Sequence, residues 1–232
     1  MKPLSLWRHE VRRTGRAALL APPLVAGLVV AVTLANGTAG AESEAMRNLF
    51  NSVEMAMPLV AGIGAASLIG RDPAAELHLT LPTPYRATLV RRLAIAVGWT
   101  ALVAVLIVAV LVVTGWWARW PEAHGAFVGQ LVWLAPTLWL AAAGFLAGAV
   151  FRGPAPASGL VAVLWILQQL FAGGWQEHQW SRLLYLFATT RGTVPGDWLA
   201  NRLTLVATGV ALGYAGWLLV GRAERLIGEE AE

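Results

Sequence analysis

Cysteine is absent from the 232 residues, which removes disulfide scaffolds, thiolate metal sites and cysteine nucleophiles together. Lysine is nearly absent too, Lys2 being the sole one. The phosphate-binding loop of nucleotide hydrolases needs Gly-Lys-Ser/Thr after a glycine-rich turn, so the chain holds no ATPase site of that type. Charge is scarce: 13% of residues are Asp, Glu, Lys or Arg, against about 25% in soluble domains. Hydrophobic residues instead make up 57%, where soluble domains hold about 45–50%. A soluble globule of this composition could not cover its surface. The net charge of +4 does not point to nucleic acid, because the basic residues sit between apolar runs and form no stripe.

A charged side chain at a bilayer centre costs about 2.5–3.5 kcal/mol on insertion scales, so stretches free of Asp, Glu, Lys and Arg mark candidate spans. Six occur: Ala17 to Ala41, Met55 to Gly70, Leu93 to Ala118, Ala123 to Phe151, Gly153 to Gln176 and Leu203 to Gly221. A helix needs roughly 20 residues to cross the hydrocarbon core. The second run is short, and is expected to cross with Glu54 and Asn51 in the outer interface or with a locally thinned bilayer. Ten-residue alternation is missing, so helices and not a closed barrel satisfy the backbone in lipid. The expected fold is an all-α integral membrane protein, one domain over 1–232, with spans near 17–37, 53–70, 93–115, 127–151, 156–174 and 203–221.

Six spans return both termini to one side. Putting the amino end, Arg71 to Arg92, Arg152 and the carboxyl tail together collects twelve of the 17 Lys and Arg residues, and the other side receives five. The positive-inside rule then makes both termini cytoplasmic, in the cell membrane. Trp116, Trp117 and Trp120 fall at the outer end of the third span and Trp175 and Trp180 just beyond the fifth, where an interfacial aromatic belt would lie. A cleaved signal peptide ending near Thr38-Ala39-Gly40 is the rival for the start, but its apolar core would be only about 7–15 residues long.

At 100° per residue Leu4, Trp7, Val11 and Ala18 share one arc and Arg8, His9, Arg12, Arg13 and Arg16 the opposite one. An amphipathic helix lying on anionic membrane lipids fits that pattern. Between spans two and three, Asp72-Pro73 reads as a cap with proline in the first turn, and Glu76 suits the positive end of the helix dipole. Pro82 ends that helix, and Thr83-Pro84 starts another at Tyr85 that runs through Arg91 and Arg92 into span three. Leu77 and Leu81 lie on one face of the short projecting helix and need a cover.

The sequence Glu76-Leu77-x-Leu79-x-Leu81-Pro82-x-x-x-Arg86, between spans two and three of a six-span chain, resembles the permease subunits of type-2 ATP-binding-cassette exporters. The likeness extends to the amphipathic amino end, the small Arg152-Gly153-Pro154 loop and the short tail around Arg222 and Arg225. Ala74-Ala75 stands where the family often has Gly-Thr, and Arg91-Arg92 where it often has lysine. The resemblance implies a cytoplasmic coupling helix seated on a separate ATPase, with Glu76, Leu77, Leu81, Pro82, Tyr85 and Arg86 at that contact. It also implies ATP and Mg bound by the partner rather than by this chain, a second permease copy as a homodimer, and short interfacial helices between spans five and six that close the exit. The alternative is a non-transporting membrane anchor or assembly factor whose loop recruits a soluble protein.

Other chemistry is thin. His9-Glu10-Val11-Arg12-Arg13 begins like a zinc-protease helix but has Arg13 in place of the second histidine. Neither Ser67 nor Ser158 sits in a Gly-x-Ser-x-Gly elbow, and no catalytic, cofactor or metal residue is assigned. Gln168 and Gln169 in span five are expected to bond between helices first and to line a polar path second. Gly144-x-x-x-Gly148 and Gly209-x-x-x-Gly213 permit close helix approach, first within the chain and second between copies. Leu183-Leu184-Tyr185-Leu186-Phe187 is expected as a half-inserted outer helix, and no Asp, Glu, Lys or Arg is expected inside a span.

Overall fold

The structure, a computed structural model, describes residues 11, 15–38, 40–69, 85–120, 124–125, 127–192 and 195–221, with the backbone alone at Arg16, Ala17, Tyr85 and Pro195. The expected amino-terminal helix, apart from Val11, the coupling helix with Glu76, Leu77, Leu81 and Pro82, and the basic tail lie outside the described residues.

Helices make up the fold, and no strand occurs among the described residues. In chain order they are α1 (Arg16–Thr38), α2 (Glu42–Asn51), a π-turn (Ser52–Ala56), α3 (Met57–Ser67), α4 (Tyr85–Val113), α5 (Trp116–Arg119), α6 (Leu131–Phe151), α7 (Pro154–Leu170), α8 (Ala172–Glu177), α9 (Gln179–Arg182) and α10 (Trp198–Val220). Short 3₁₀ turns at Val128–Gln130 and Pro195–Asp197 lead into α6 and α10.

Five helical stretches are long and apolar enough to cross a membrane: Ala18–Thr38, Glu42–Ser67, Arg86–Val113, Val128–Phe151 and Trp198–Val220. Helix α7 is apolar but only 17 residues long. It stops at Phe171, whose φ of −105° and ψ of 32° leave the helix, before Gly173 and Gly174. The expected span over 156–174 is thus broken at Phe171, and the chain resumes as the short helix over Ala172–Glu177, with Gly173 and Gly174 inside it. The outer surface agrees with an apolar solvent: Leu24, Leu28, Leu106, Val113, Val210 and Leu218 are all exposed, an extent of bare aliphatic surface that soluble monomers rarely carry.

The helices alternate in direction. The start of α4 meets the end of α10, where the Arg86 guanidinium lies 4.6 Å from the Trp217 ring centroid; this is the near end. At the far end, Glu42 of α2 pairs with Arg119 of α5 at 2.6 Å. Helix α6 is the central post, packing most extensively on α10 and α3. Small residues make that possible. A Cβ on Gly144 would run into the Gly62 carbonyl, and one on Gly148 would stand 3.0 Å from the Ala66 carbonyl. A Cβ on Gly209 would stand 3.2 Å from the Trp139 Cα. Both glycine pairs therefore serve packing within the chain. Tight turns come from left-handed residues: Gly115 (φ 72°) between α4 and α5, and Arg152 (φ 53°) between α6 and α7, the latter against the usual preference for glycine.

Helix α1 carries Pro22 and Pro23 inside it. Proline donates no N–H, so the carbonyls four residues earlier lose their helical partners. Trp99 of α4 supplies one replacement, its Nε1–H donating to the Leu19 carbonyl at 2.8 Å. The indole thereby fixes α1 to α4 beside an apolar groove of about 610 Å³ lined by Leu19, Leu20, Pro23, Ile95 and Trp99.

Candidate polar site at the far end of the bundle

The most concentrated chemistry lies where the sequence reading expects only interface. The run Leu183–Phe187 is not a helix. It continues α9 as irregular turns that enter the end of the bundle, and Tyr185, Leu186, Phe187 and Ala188 each expose 0% of their surface. The expected half-inserted helix is thus replaced by a buried loop. The short helices α8 and α9 precede it, and Arg182 pairs with Asp197 at 3.3 Å across its base.

Irregular backbone inside an apolar body has to find partners for its N–H and C=O groups. Side chains from three elements provide them. Gln168 of α7 accepts from the Leu186 N–H at 2.8 Å and donates to the Leu184 carbonyl at 3.3 Å. Asn201 of α10 donates to the carbonyls of Arg182 (2.7 Å) and Tyr185 (2.8 Å). Arg202 donates to the Leu186 carbonyl at 2.9 Å and to the Thr189 Oγ1 at 2.7 Å. Trp198 also donates to that hydroxyl, at 3.0 Å.

Glu54 supplies the remaining tie. Its Oε1 accepts from the Thr189 N–H at 2.8 Å and its Oε2 from the Thr190 N–H at 2.7 Å. Oε1 also contacts the Arg202 guanidinium directly, and both side chains are fully buried. This corrects the expectation that no ionisable residue lies inside a span. Glu54 lies in the middle of the Glu42–Ser67 stretch, and Arg202 lies in the second turn of α10. Ionisable groups thus do occur inside helices long enough to span. Each would be costly alone, but the opposite charge and two N–H donors compensate the carboxylate. Removing one partner of such a pair costs about 3–5 kcal/mol because the other charge is left buried.

The local backbone aims Glu54. Pro58 cannot donate to the Glu54 carbonyl, and its ring crowds that same group. The helix answers with the π-turn, in which the Met57 N–H reaches back five residues to the Ser52 carbonyl. Such widened turns recur at functional sites. Trp165 of α7 donates to the Met55 carbonyl at 3.0 Å, and Gln169 donates to the Met55 Sδ at 3.0 Å while accepting from Arg191 at 3.0 Å. Gln168 and Gln169 therefore both act as glue, one on the buried loop and one between the π-turn and the loop's end.

Aromatic residues close the site from the side. Phe50 stacks on Trp117 and Trp120, with centroids 5.5 and 4.5 Å away, and Trp120 donates to the Thr189 carbonyl at 3.3 Å. The ring of His124 lies 3.8 Å from that of Trp198. Two of the expected belt tryptophans are packing residues here, whereas Trp180 remains exposed. Burial pushes the Tyr185 hydroxyl up to about 12, with Arg191 lowering it and Glu54 raising it as smaller influences. Among the described residues, no three His, Asp or Glu side chains come together as metal ligands. The geometry holds a carboxylate in place; it does not present one to a substrate.

Of the residues expected at a coupling contact, only Arg86 has a described side chain. It stacks on Trp217 and lies 3.5 Å from the place a Cβ on Gly221 would occupy. No protein-family model, curated protein or solved structure matches the chain.

Proposed function

We propose that the chain is the permease subunit of a type-2 ATP-binding-cassette exporter. It works as a pair in the cell membrane with two copies of a separate cytoplasmic ATPase, which binds ATP and Mg. The observation that carries this reading is Glu76-Leu77-x-Leu79-x-Leu81-Pro82-x-x-x-Arg86, in the segment joining α3 to α4. Support comes from placement: α3 ends and α4 begins at the near end, where Arg86 packs on Trp217. On a count of six crossings, twelve of the 17 basic residues are assigned to the side of that end.

The sixth crossing is α7. Its 17 residues extend about 26 Å at 1.5 Å per residue, slightly less than the roughly 30 Å hydrocarbon core, and bilayer thinning makes up the difference. On this reading the near end is cytoplasmic, with both termini, and the buried loop over 183–191 closes the outer end of the path. ATP draws the ATPase pair together, the helix around Glu76 to Leu81 moves as a lever, and α3 and α7, which pack on each other, rearrange at the subunit interface.

The test changes Leu77 and Leu81 to Asp together. Burying unpaired carboxylates in an ATPase groove costs several kcal/mol, so the double variant loses ATPase co-purification while keeping normal membrane levels and elution. Retained ATPase binding overturns the docking role. Loss of the permease itself shows that the leucines pack on their own helices. Should the wild-type chain instead capture a soluble protein without ATPase activity through the same leucines, the anchor reading replaces the exporter.

A further inference from the structure

The loop over 184–190 is buried like core but is held like a lid. Its backbone takes no part in a ladder or helix; beyond local turn bonds such as Tyr185 N–H to the Arg182 carbonyl, it is held by rotatable side chains of Gln168, Asn201, Arg202 and Glu54. The same seam leaves polar atoms without partners: Thr190 Oγ1, Asn201 Oδ1 and Arg202 Nε are buried with no hydrogen bond among the described residues. Buried polar groups are normally paired, and a partly satisfied network is the weak place in a packed body. Water entering between the loop and α10 would satisfy these atoms, so this surface parts at lower cost than the glycine-packed seams of α6.

One tie differs from the rest because it depends on a helix register. Glu54 reaches Thr189, Thr190 and Arg202 only from the widened turn over Ser52–Ala56. Returning that turn to α geometry removes one residue per turn. Residues before it then rotate by about 100° against α3, and Glu54, inside the turn, swings by part of that angle, drawing its carboxylate away from both N–H groups and the guanidinium.

We propose that the buried Glu54–Arg202 pair is a latch on the 184–190 loop, and that the π-turn set by Pro58 is the register switch that engages or withdraws it. The latch deepens the exporter reading, in which this loop closes the outer end. Its test uses the permease alone, so it can fail without touching the ATPase-docking result, and docking can fail without touching it.

The chain has no native cysteine, so single reporters need no altered background. Ala188→Cys, at a fully buried loop position, reports opening; Leu140→Cys, fully buried in α6, reports loosening of the whole bundle. A water-soluble maleimide is supplied to both faces of native membranes, which removes any dependence on topology. Ala188→Cys alone should label slowly. Adding Glu54→Gln or, separately, Pro58→Ala should raise its rate roughly ten- to a hundredfold, with Leu140→Cys unlabelled in either background. Pro58→Ala leaves both charges in place, so it tests the latch even where Glu54→Gln folds poorly. Unchanged labelling in both variants overturns the proposal, as does a parallel rise at Leu140→Cys. A rise with Glu54→Gln but not with Pro58→Ala overturns the role given to the π-turn.

Discussion

A carboxylate inside an apolar bundle is stable only as part of a set, and Glu54 shows how small that set can be: two adjacent N–H groups and one guanidinium. Tyr185 shows the opposite solution, a polar group whose neutral form suits its surroundings. Because burial raises it to about 12 from an ordinary value of 10, the folded chain resists its ionisation. The stabilising effect is complete below pH 10 and is lost as pH rises toward 12. Tyrosinate absorbance of the wild type minus that of Tyr185→Phe should therefore appear about two pH units above an unperturbed tyrosine. The denaturation midpoint should also fall more steeply across that window in the wild type. A difference spectrum centred near pH 10 would contradict the burial described for this hydroxyl. Neither residue's role can be read locally, since Glu54 is flanked by Val53 and Met55 in a run that looks like any helix end.

At the scale of elements, prolines do most of the shaping. Pro58 widens a turn, and Pro22 and Pro23 leave carbonyls of α1 for others to satisfy. The Trp99 bond to Leu19 yields a thermodynamic cycle. Trp99→Phe should cost about 0.5–1.5 kcal/mol for the lost bond. In a Pro23→Ala background the Leu19 carbonyl regains a helical donor, and the same change should cost measurably less. Equal costs in both backgrounds, measured by thermal unfolding in detergent, would deny that the indole compensates for the proline. Most of the helices were legible from charge-free runs, but the second stretch, Glu42–Ser67, begins well before its run at Met55 and carries Glu42, Glu44, Arg47 and Glu54. The π-turn was not legible, because proline signals a break without saying whether a helix stops, kinks or widens. The buried loop was not either: Leu183–Phe187 is apolar enough for a lipid-facing helix, and only contacts from α7 and α10 decide otherwise.

For the whole molecule, the alternation of helix direction puts the near and far ends on opposite faces of whatever membrane the bundle crosses. Reporter fusions after Gly70 and Glu232 should be cytoplasmic and those after Trp120 and Thr190 external; a cytoplasmic signal at Thr190 would refute six crossings. Counting charges run by run finds spans because single charges are expelled, and for that reason it assigns both members of a neutralising pair to the ends. Glu54 and Arg202 stand 148 residues apart, a separation that segment-wise reading cannot bridge. That distance also has a meaning in time. A ribosome adding about 5–20 residues per second delivers Arg202 roughly seven to thirty seconds after Glu54. For most of that interval the nascent chain carries an acidic group with neither its guanidinium nor the N–H groups of Thr189 and Thr190. The earlier helices must therefore wait in an unfinished assembly, open at one end, until the helix that carries Arg202 arrives to complete it.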